Sequence, residues 1–124
     1  MQKIHTAEAP EAIGPYSQAV EAGGFVFTSG QIPLDPRTGK VEAQDIAGQA
    51  TQVCENCKAV LAAAGCSLED VVKTTCFLQD MADFSAFNDV YAAYFAGCPA
   101  RSCVAARTLP KGVLVEVEAI AVKR

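Results

Sequence analysis

Three residues in the last quarter of the chain could act together on a small molecule. Arg101 and Cys103 lie two positions apart in a segment whose composition predicts a strand, so their side chains point to one face. Glu116 lies in the next predicted strand. A guanidinium can bind a carboxylate through two parallel hydrogen bonds, and a nearby carboxylate can activate water. The pattern outlines a site for a small acid.

Each of these residues also has a structural interpretation. Arg101 and Glu116 could simply form an ion pair that neutralises an interface, and for one Arg/Glu pair on strands this is at least as common as catalysis. Cys103 could be a small buried hydrophobic residue. A hairpin of suitable register would place Cys103 opposite Glu116 or Glu118, but the sequence does not fix that register. Both interpretations stay open here.

Three further polar residues have the same double meaning. Asn88 lies one helical turn from both Phe84 and Tyr91, at the edge of an apolar stripe where an amide needs hydrogen-bond partners. It could cap a loop or bind a ligand. Tyr16 and Ser29 could be a core hydroxyl and a turn hydroxyl, or members of a site.

The common catalytic motifs are missing from the sequence. It has no glycine-rich phosphate loop, and His5 is its single histidine, which argues against a Ser-His-Asp set and against a zinc site. Cys54 and Cys57 form a C-x-x-C motif well inside a helical pattern, so we interpret them as core thiols. The remaining cysteines outside the candidate site are predicted to be reduced thiols: Cys66, Cys76 and Cys98.

Apolar periodicity predicts the elements that must position the candidate residues. A long amphipathic helix begins after Asp45 and ends at Gly65, and a second covers 83–96, with Asp83 as its cap. A hairpin with Gly23-Gly24 at its turn and a β-branched segment supply the first strands. Two more strands near the end of the chain are expected to pair antiparallel around a turn at 108–112. The predicted strands are 18–22, 25–29, 71–78, 100–106 and 113–122, and 32–40 is predicted to be a surface loop.

The last predicted strand indicates how the elements pack. Its alternating side chains are mostly apolar on both faces, although Glu116 and Glu118 lie on one of them. Two helices can cover one face of a sheet of five to six strands, so the other face needs cover from elsewhere. We therefore predict an α+β subunit, with two helices packed on one face of a mixed sheet, that associates with itself through the other face.

Length and composition fit this architecture. The chain of 124 residues is 51% hydrophobic and 19% charged, which predicts one folded domain covering 1–124. It has no apolar run long enough to span a membrane and no secretory start, so a cytoplasmic protein is expected. A net charge of −4 and the absence of a basic cluster argue against nucleic acid as a partner.

The order of several short segments is more informative than any single residue. These segments are IGPYSQA at 13–19, TSGQIP at 28–33, VKTT at 72–75, FNDVY at 87–91, PARSCV at 99–104, LPKG at 109–112 and VEVEAIA at 115–121. In this order and spacing the chain resembles, over essentially its whole length, the RidA/YjgF family of reactive-intermediate deaminases.

The resemblance implies a fold, an assembly and a reaction. It implies a chorismate-mutase-like subunit in a homotrimer, with sites in the clefts between subunits. It also implies hydrolysis of enamine and imine intermediates, such as 2-aminoacrylate, 2-iminopropanoate and 2-iminobutanoate, to 2-oxo acids and ammonia, with no cofactor. The partners implied are a small 2-imino or 2-oxo acid and further copies of the chain, without a membrane.

The resemblance also implies a role for each candidate residue. Arg101 would bind the substrate carboxylate, and Glu116 would position or deprotonate the attacking water. Cys103 would line the cleft with its backbone N–H available to the ligand. The remaining substrate-binding positions would be Ser29 and Gly30 from the first hairpin, with Tyr16 and Asn88 closing the site through hydrogen bonds.

Two other functions stay open from the sequence. One is a trimer that senses a 2-oxo acid without turning it over, although such a receptor has no evident use for Glu116. The other is the ribonuclease or translation-inhibitor role associated with the family, against which the net charge argues.

Overall fold

A computed structural model describes residues 1–124 and consists mainly of one six-stranded mixed sheet with two helices on one face. The strands of this sheet are β1 (Gln2–Ile4), β2 (Ala19–Ala22), β3 (Phe25–Thr28), β6 (Val71–Leu78), β7 (Ala100–Ala105) and β8 (Val115–Val122), in the spatial order β1-β2-β3-β8-β6-β7. A separate small hairpin pairs β4 (Leu34–Asp35) with β5 (Lys40–Val41). The predicted α+β architecture is confirmed.

The two helices cover the sheet face on which the core lies. Helix α1 (Ile46–Ala63) begins after Asp45, whose side chain accepts a hydrogen bond from the backbone of Gly48, as expected for an N-cap. Helix α2 (Phe84–Tyr94) packs beside it. Alternate residues of β8 point toward the helices and are buried: Val115, Val117, Ala119 and Ala121. No helix is both long and apolar enough to cross a membrane.

The expected antiparallel pairing of the last two strands is wrong. Strand β7 pairs in parallel with β6, and β8 lies on the other side of β6, between β6 and β3. Cys103 therefore lies beside Cys76, not opposite Glu116 or Glu118. Helix α2 is the crossover that a parallel β6–β7 connection requires. Because β7 and β8 are not neighbours in the sheet, the turn at 108–112 does not close a hairpin between them.

The pairing of β3 with β8 shifts by one residue after Phe27. Phe27 pairs with Ile120, whereas the isolated bridge beyond it joins Gln31 to Val117. At this irregularity the buried hydroxyl of Thr28 accepts a hydrogen bond from the Ala119 backbone at 3.0 Å. The side chain replaces a bond that a regular ladder would supply.

Several local predictions need correction. Segment 32–40 is not only surface loop, because it contains β4 and the first residue of β5. Asp35 in this segment is buried and accepts a hydrogen bond from Arg37. Asp83 makes no capping bond; Asp80 instead accepts from Ala82 at the start of a 3₁₀ turn, Met81–Asp83, that precedes α2. Strand β1 had no sequence signal, since its three residues are too few to show a period.

The second face of the sheet is open and largely apolar, as predicted. Phe25 and Phe27 are each 40% exposed on β3, with ring centroids 6.3 Å apart, and Val104 is 49% exposed on β7. Glu116 and Glu118 lie on this face of β8. We call this surface the open face.

Candidate active site

Arg101 is held on the helix side of the sheet by residues of α2. Its guanidinium carbon lies 4.8 Å from the ring centroid of Tyr91 and 5.4 Å from that of Phe84, within the range of a cation–π contact. Its Nη1 donates a hydrogen bond of 2.7 Å to Asn88 Oδ1. The part-buried guanidinium therefore rests on two aromatic rings and one neutral amide.

No carboxylate of the chain pairs with Arg101. The ion pairs of the structure join other residues: His5–Glu11, Arg37–Asp35, Lys123–Glu21 and Arg124–Asp70. Arg101 and Glu116 therefore form no ion pair within one subunit. The remaining guanidinium N–H groups have no protein acceptor, which suits the binding of an anion.

An open cleft of about 620 Å³ adjoins Arg101. Its lining is mostly apolar and comes from α2 and the turn that leads to β7: Asn88, Tyr91, Ala92, Phe95, Ala96, Cys98, Pro99 and Arg101. One charged group among apolar walls is typical of a site for a small organic acid.

Cys103 lies on the same strand face as Arg101, two residues further along β7, and is part-buried against the core. Burial raises the pKa of its thiol, and the nearby Arg101 charge opposes this only in part. Burial also raises the pKa of Cys54 and Cys76 to about 12, and all six cysteines are unpaired. Cys54 and Cys57 are core thiols, as predicted, whereas Cys98 is exposed.

The Glu116 carboxylate lies on the open face, close to the backbone of Gly30. A Cβ atom added to Gly30 would overlap Glu116 Oε2, so the absence of a side chain at Gly30 makes room for the carboxylate. Burial raises the pKa of the Glu116 carboxyl, and the charge of Glu118 raises it further. Within the subunit, Arg101 lies on the other face of the sheet and makes no contribution to this shift.

Ser29 and Tyr16 lie on the same side as Glu116. The Ser29 hydroxyl donates a hydrogen bond of 2.6 Å to the Ser17 carbonyl, which fixes the segment carrying Tyr16 beside the end of β3. Tyr16 is 51% exposed and shares a surface hollow with Lys3 and Val20. Its hydroxyl makes no hydrogen bond within the chain.

The predicted residues thus form two groups on opposite faces of one sheet. Arg101 is in register with Thr74 of β6, which faces the helices, whereas Glu116 is in register with Phe77, which faces the other way. We name the first group the arginine half-site: Arg101, Asn88 and Cys103. The second is the carboxylate half-site: Glu116, Gly30, Ser29 and Tyr16.

The sequence pattern places Tyr91 and Phe84 in the apolar stripe of α2 but does not predict their contact with Arg101. The signal was present in their spacing. Phe84, Asn88 and Tyr91 recur at offsets of four and three, so they share one face of the helix. The sequence does not predict the parallel pairing with β6 that brings β7 against this face of α2.

The fold and the two half-sites define a class: a small α+β subunit with an arginine that has no carboxylate partner on one sheet face and a partly buried carboxylate on the other. The family model described as Endoribonuclease L-PSP matches residues 6–123. The 2-iminobutanoate/2-iminopropanoate deaminase of Salmonella typhimurium is 54% identical over 98% of this chain and 97% of its own.

Solved structures agree with this match. A Thermotoga maritima structure superposes with a TM-score of 0.97 at 50% identity, covering 100% of this chain and 98% of that one. Escherichia coli TdcF, crystallised with bound serine, gives 0.95 at 48% identity over 100% of both chains. The chain belongs to the RidA/YjgF family, as its sequence segments indicated.

Proposed function

We propose that this protein hydrolyses 2-imino acids, and the enamines in equilibrium with them, to 2-oxo acids and ammonia. Its substrates would be 2-iminopropanoate and 2-iminobutanoate. The observation that carries the proposal is the unpaired guanidinium of Arg101, held over two rings beside an apolar cleft. Support comes from a relative named for this reaction, and from another crystallised with serine, which carries an α-carboxylate.

The reaction needs little from the protein, because an imine carbon is already electrophilic. Arg101 binds the carboxylate and so fixes the adjacent C=N bond. Glu116 takes a proton from water, whose oxygen bonds to the imine carbon while the C=N electron pair moves to nitrogen, which takes up a proton. The amine nitrogen of this carbinolamine takes up the proton held by Glu116, the C–N bond breaks to release ammonia, and loss of the hydroxyl proton to solvent gives the 2-oxo acid. A base correctly placed for such a step contributes about 10² to 10⁴-fold.

The two half-sites must meet for this chemistry, and one subunit holds them apart. We therefore propose a homotrimer in which the arginine half-site of one protomer adjoins the carboxylate half-site of its neighbour. The exposed apolar side chains of the open face, Phe25, Phe27 and Val104, supply a reason for association, since apolar area on this scale is costly to leave in water.

A coupled assay tests the proposal. Serine or threonine dehydratase generates the imine in the presence of this protein, and formation of the 2-oxo acid is followed over time. We expect acceleration by the wild type and at least about a 100-fold loss of kcat/KM in Arg101→Ala, because the carboxylate loses its charged partner. Arg101→Lys also fails, because a point charge cannot replace the planar fork.

The other candidate functions predict different results in the same assay. A sensor binds 2-oxobutyrate in calorimetry but leaves the imine decay unchanged. A ribonuclease binds RNA with an affinity that falls as salt rises, a property that the net charge of −4 does not favour. Absence of acceleration at high protein concentration overturns the deaminase proposal.

A further inference from the structure

The orientation of Arg101 depends on a ring that is itself held in place. A guanidinium binds a carboxylate through two parallel bonds only when its plane faces the ligand edge-on, so its direction matters as much as its charge. Asn88 fixes only one nitrogen of Arg101. The plane of the group is set by the Tyr91 ring, 4.8 Å away, with Phe84 at 5.4 Å.

Tyr91 is fixed in turn by Thr74 and Phe95. The Tyr91 hydroxyl and Thr74 Oγ1 lie 2.7 Å apart in a hydrogen bond, with Thr74 fully buried and Tyr91 only 8% exposed. The Phe95 ring stacks on Tyr91 with centroids 4.6 Å apart and an angle of 24°. Since the phenol is buried, its pKa is raised and the ring stays neutral under ordinary conditions.

The fold links this contact directly to the backbone of Arg101. Thr74 on β6 is the register partner of Arg101 on β7. Thr74 therefore lies beside the Arg101 backbone and also holds the Tyr91 ring that contacts the Arg101 guanidinium. The contacts run in a closed circuit from the Arg101 backbone to Thr74, from Thr74 to the Tyr91 ring, and from that ring back to the guanidinium. A displacement of Tyr91 would leave Arg101 attached to its strand but turned away from its ligand.

We propose that Thr74 and Tyr91 are positioning residues that set the plane of Arg101 for a planar carboxylate. The inference rests on the proposed function insofar as the ligand is a 2-oxo or 2-imino acid. All the groups that hold Arg101 are neutral, so they orient the cation without compensating its charge. Neither Thr74 nor Tyr91 is proposed to take part in bond making.

A double-mutant cycle tests this role. The variants are Thr74→Val, which keeps shape and removes the hydroxyl, Tyr91→Leu, which removes the ring, and the pair combined. Because uniform loss of carboxylate binding raises KM and spares kcat, we expect Tyr91→Leu to raise KM about tenfold and Thr74→Val about threefold. In the Tyr91→Leu background, Thr74→Val has no further effect on KM, since Thr74 acts through the ring.

A control variant distinguishes an effect on protein stability from an effect on the position of Arg101. Val60→Ala truncates a fully buried side chain of α1 and is expected to lower the melting temperature while leaving KM unchanged. Equal KM in wild type and Tyr91→Leu overturns the proposal. If KM rises in proportion to the loss in melting temperature across all the variants, including Val60→Ala, the proposal is also overturned, because such a correlation indicates only a general loss of core packing.

Nuclear magnetic resonance gives a readout that does not need the reaction. The Arg101 side-chain Nε–H signal, assigned by its loss in Arg101→Lys, is expected to carry a ring-current shift that decreases in Tyr91→Leu, where only the Phe84 ring remains, and changes in Thr74→Val. An unchanged signal in Tyr91→Leu overturns the positioning role. If the wild type binds no 2-oxobutyrate while this shift is present, the proposed function fails and the orientation of Arg101 by Tyr91 stands.

Discussion

At the residue scale, the chemistry depends on the protonation of Glu116. Its pKa is raised above the ordinary value of 4.5 by burial and by the charge of Glu118. A base works only when ionised, so activity is present above this raised pKa and is lost as pH falls through it. We expect the acid limb of kcat/KM to lie above pH 4.5.

The contribution of Glu118 can be measured separately. Glu118 is exposed on the open face, so Glu118→Gln should move the acid limb to lower pH by only a few tenths of a unit at low salt, and by less as salt screens the charge. The measurement is a pH–rate profile at two ionic strengths. An acid limb that does not move at low salt would show that Glu118 does not influence the base.

The sequence identified Arg101, Glu116 and Asn88 as residues with possible chemistry, but it could not group them correctly. Alternation along a strand shows which residues share a face within that strand only. Which faces of two strands coincide depends on how the strands pair, and each residue of β7 pairs with a residue of β6 that lies 27 positions earlier in the chain. For that reason the sequence allowed Arg101 and Glu116 to share one face of the sheet, while the subunit places them on opposite faces.

At the element scale, the contact between the end of β3 and the carboxylate of β8 depends on Gly30. In Gly30→Ala the new methyl group would overlap the Glu116 carboxylate, which is the flexible end of a side chain and can swing away. We expect activity to fall by about 10-fold or more, because the base leaves its position, with a change in stability below about 1 kcal/mol.

Gly97→Ala is the matched control for this substitution. A Cβ at Gly97 meets no atom within 4 Å and the residue does not have a positive φ. Activity and folding are expected to stay near wild type, with any stability change slightly favourable. A Gly30→Ala protein as active as Gly97→Ala would show that the placement of Glu116 against Gly30 has no part in function.

Helix and strand boundaries were the best predicted part of the fold. Strand β6 matches its predicted range of 71–78, and the N-cap of α1 is the predicted Asp45, because a β-branched run and a capping side chain are local signals. The cap assigned to Asp83 failed because a 3₁₀ turn intervenes, and Asp80 caps that turn. Such short turns have no periodicity to detect.

At the scale of the whole molecule, association through the open face can be tested by charge. Phe27→Glu places a carboxylate among apolar side chains on β3 and is expected to shift the protein to monomer in sedimentation, with loss of activity. Met81→Glu is the control, since Met81 is 41% exposed, close to the 40% of Phe27, but lies outside the sheet. A monomeric wild type would overturn the trimer.

Complementation tests whether a site combines two protomers. Arg101→Ala and Glu116→Gln are each inactive, but after subunits are mixed in equal amounts and reassembled, some interfaces join an intact arginine half-site to an intact carboxylate half-site. Random assembly into closed rings gives about a quarter of the wild-type activity. If both half-sites came from one protomer, mixing would restore nothing.

The strand order also has a consequence for how the protein is made. The arginine half-site lies on α2 and β7, which follow β6 directly along the chain, so the contacts among these three elements can form early. Strand β8, by contrast, must insert between β3 and β6 to join the two parts of the sheet. A nascent chain halted before residue 115 would hold an N-terminal ribbon and a separate βαβ unit. Pulse-labelled hydrogen exchange during refolding is expected to show β6 and α2 protected before β3, so that the proposed site is complete only after β8 has inserted.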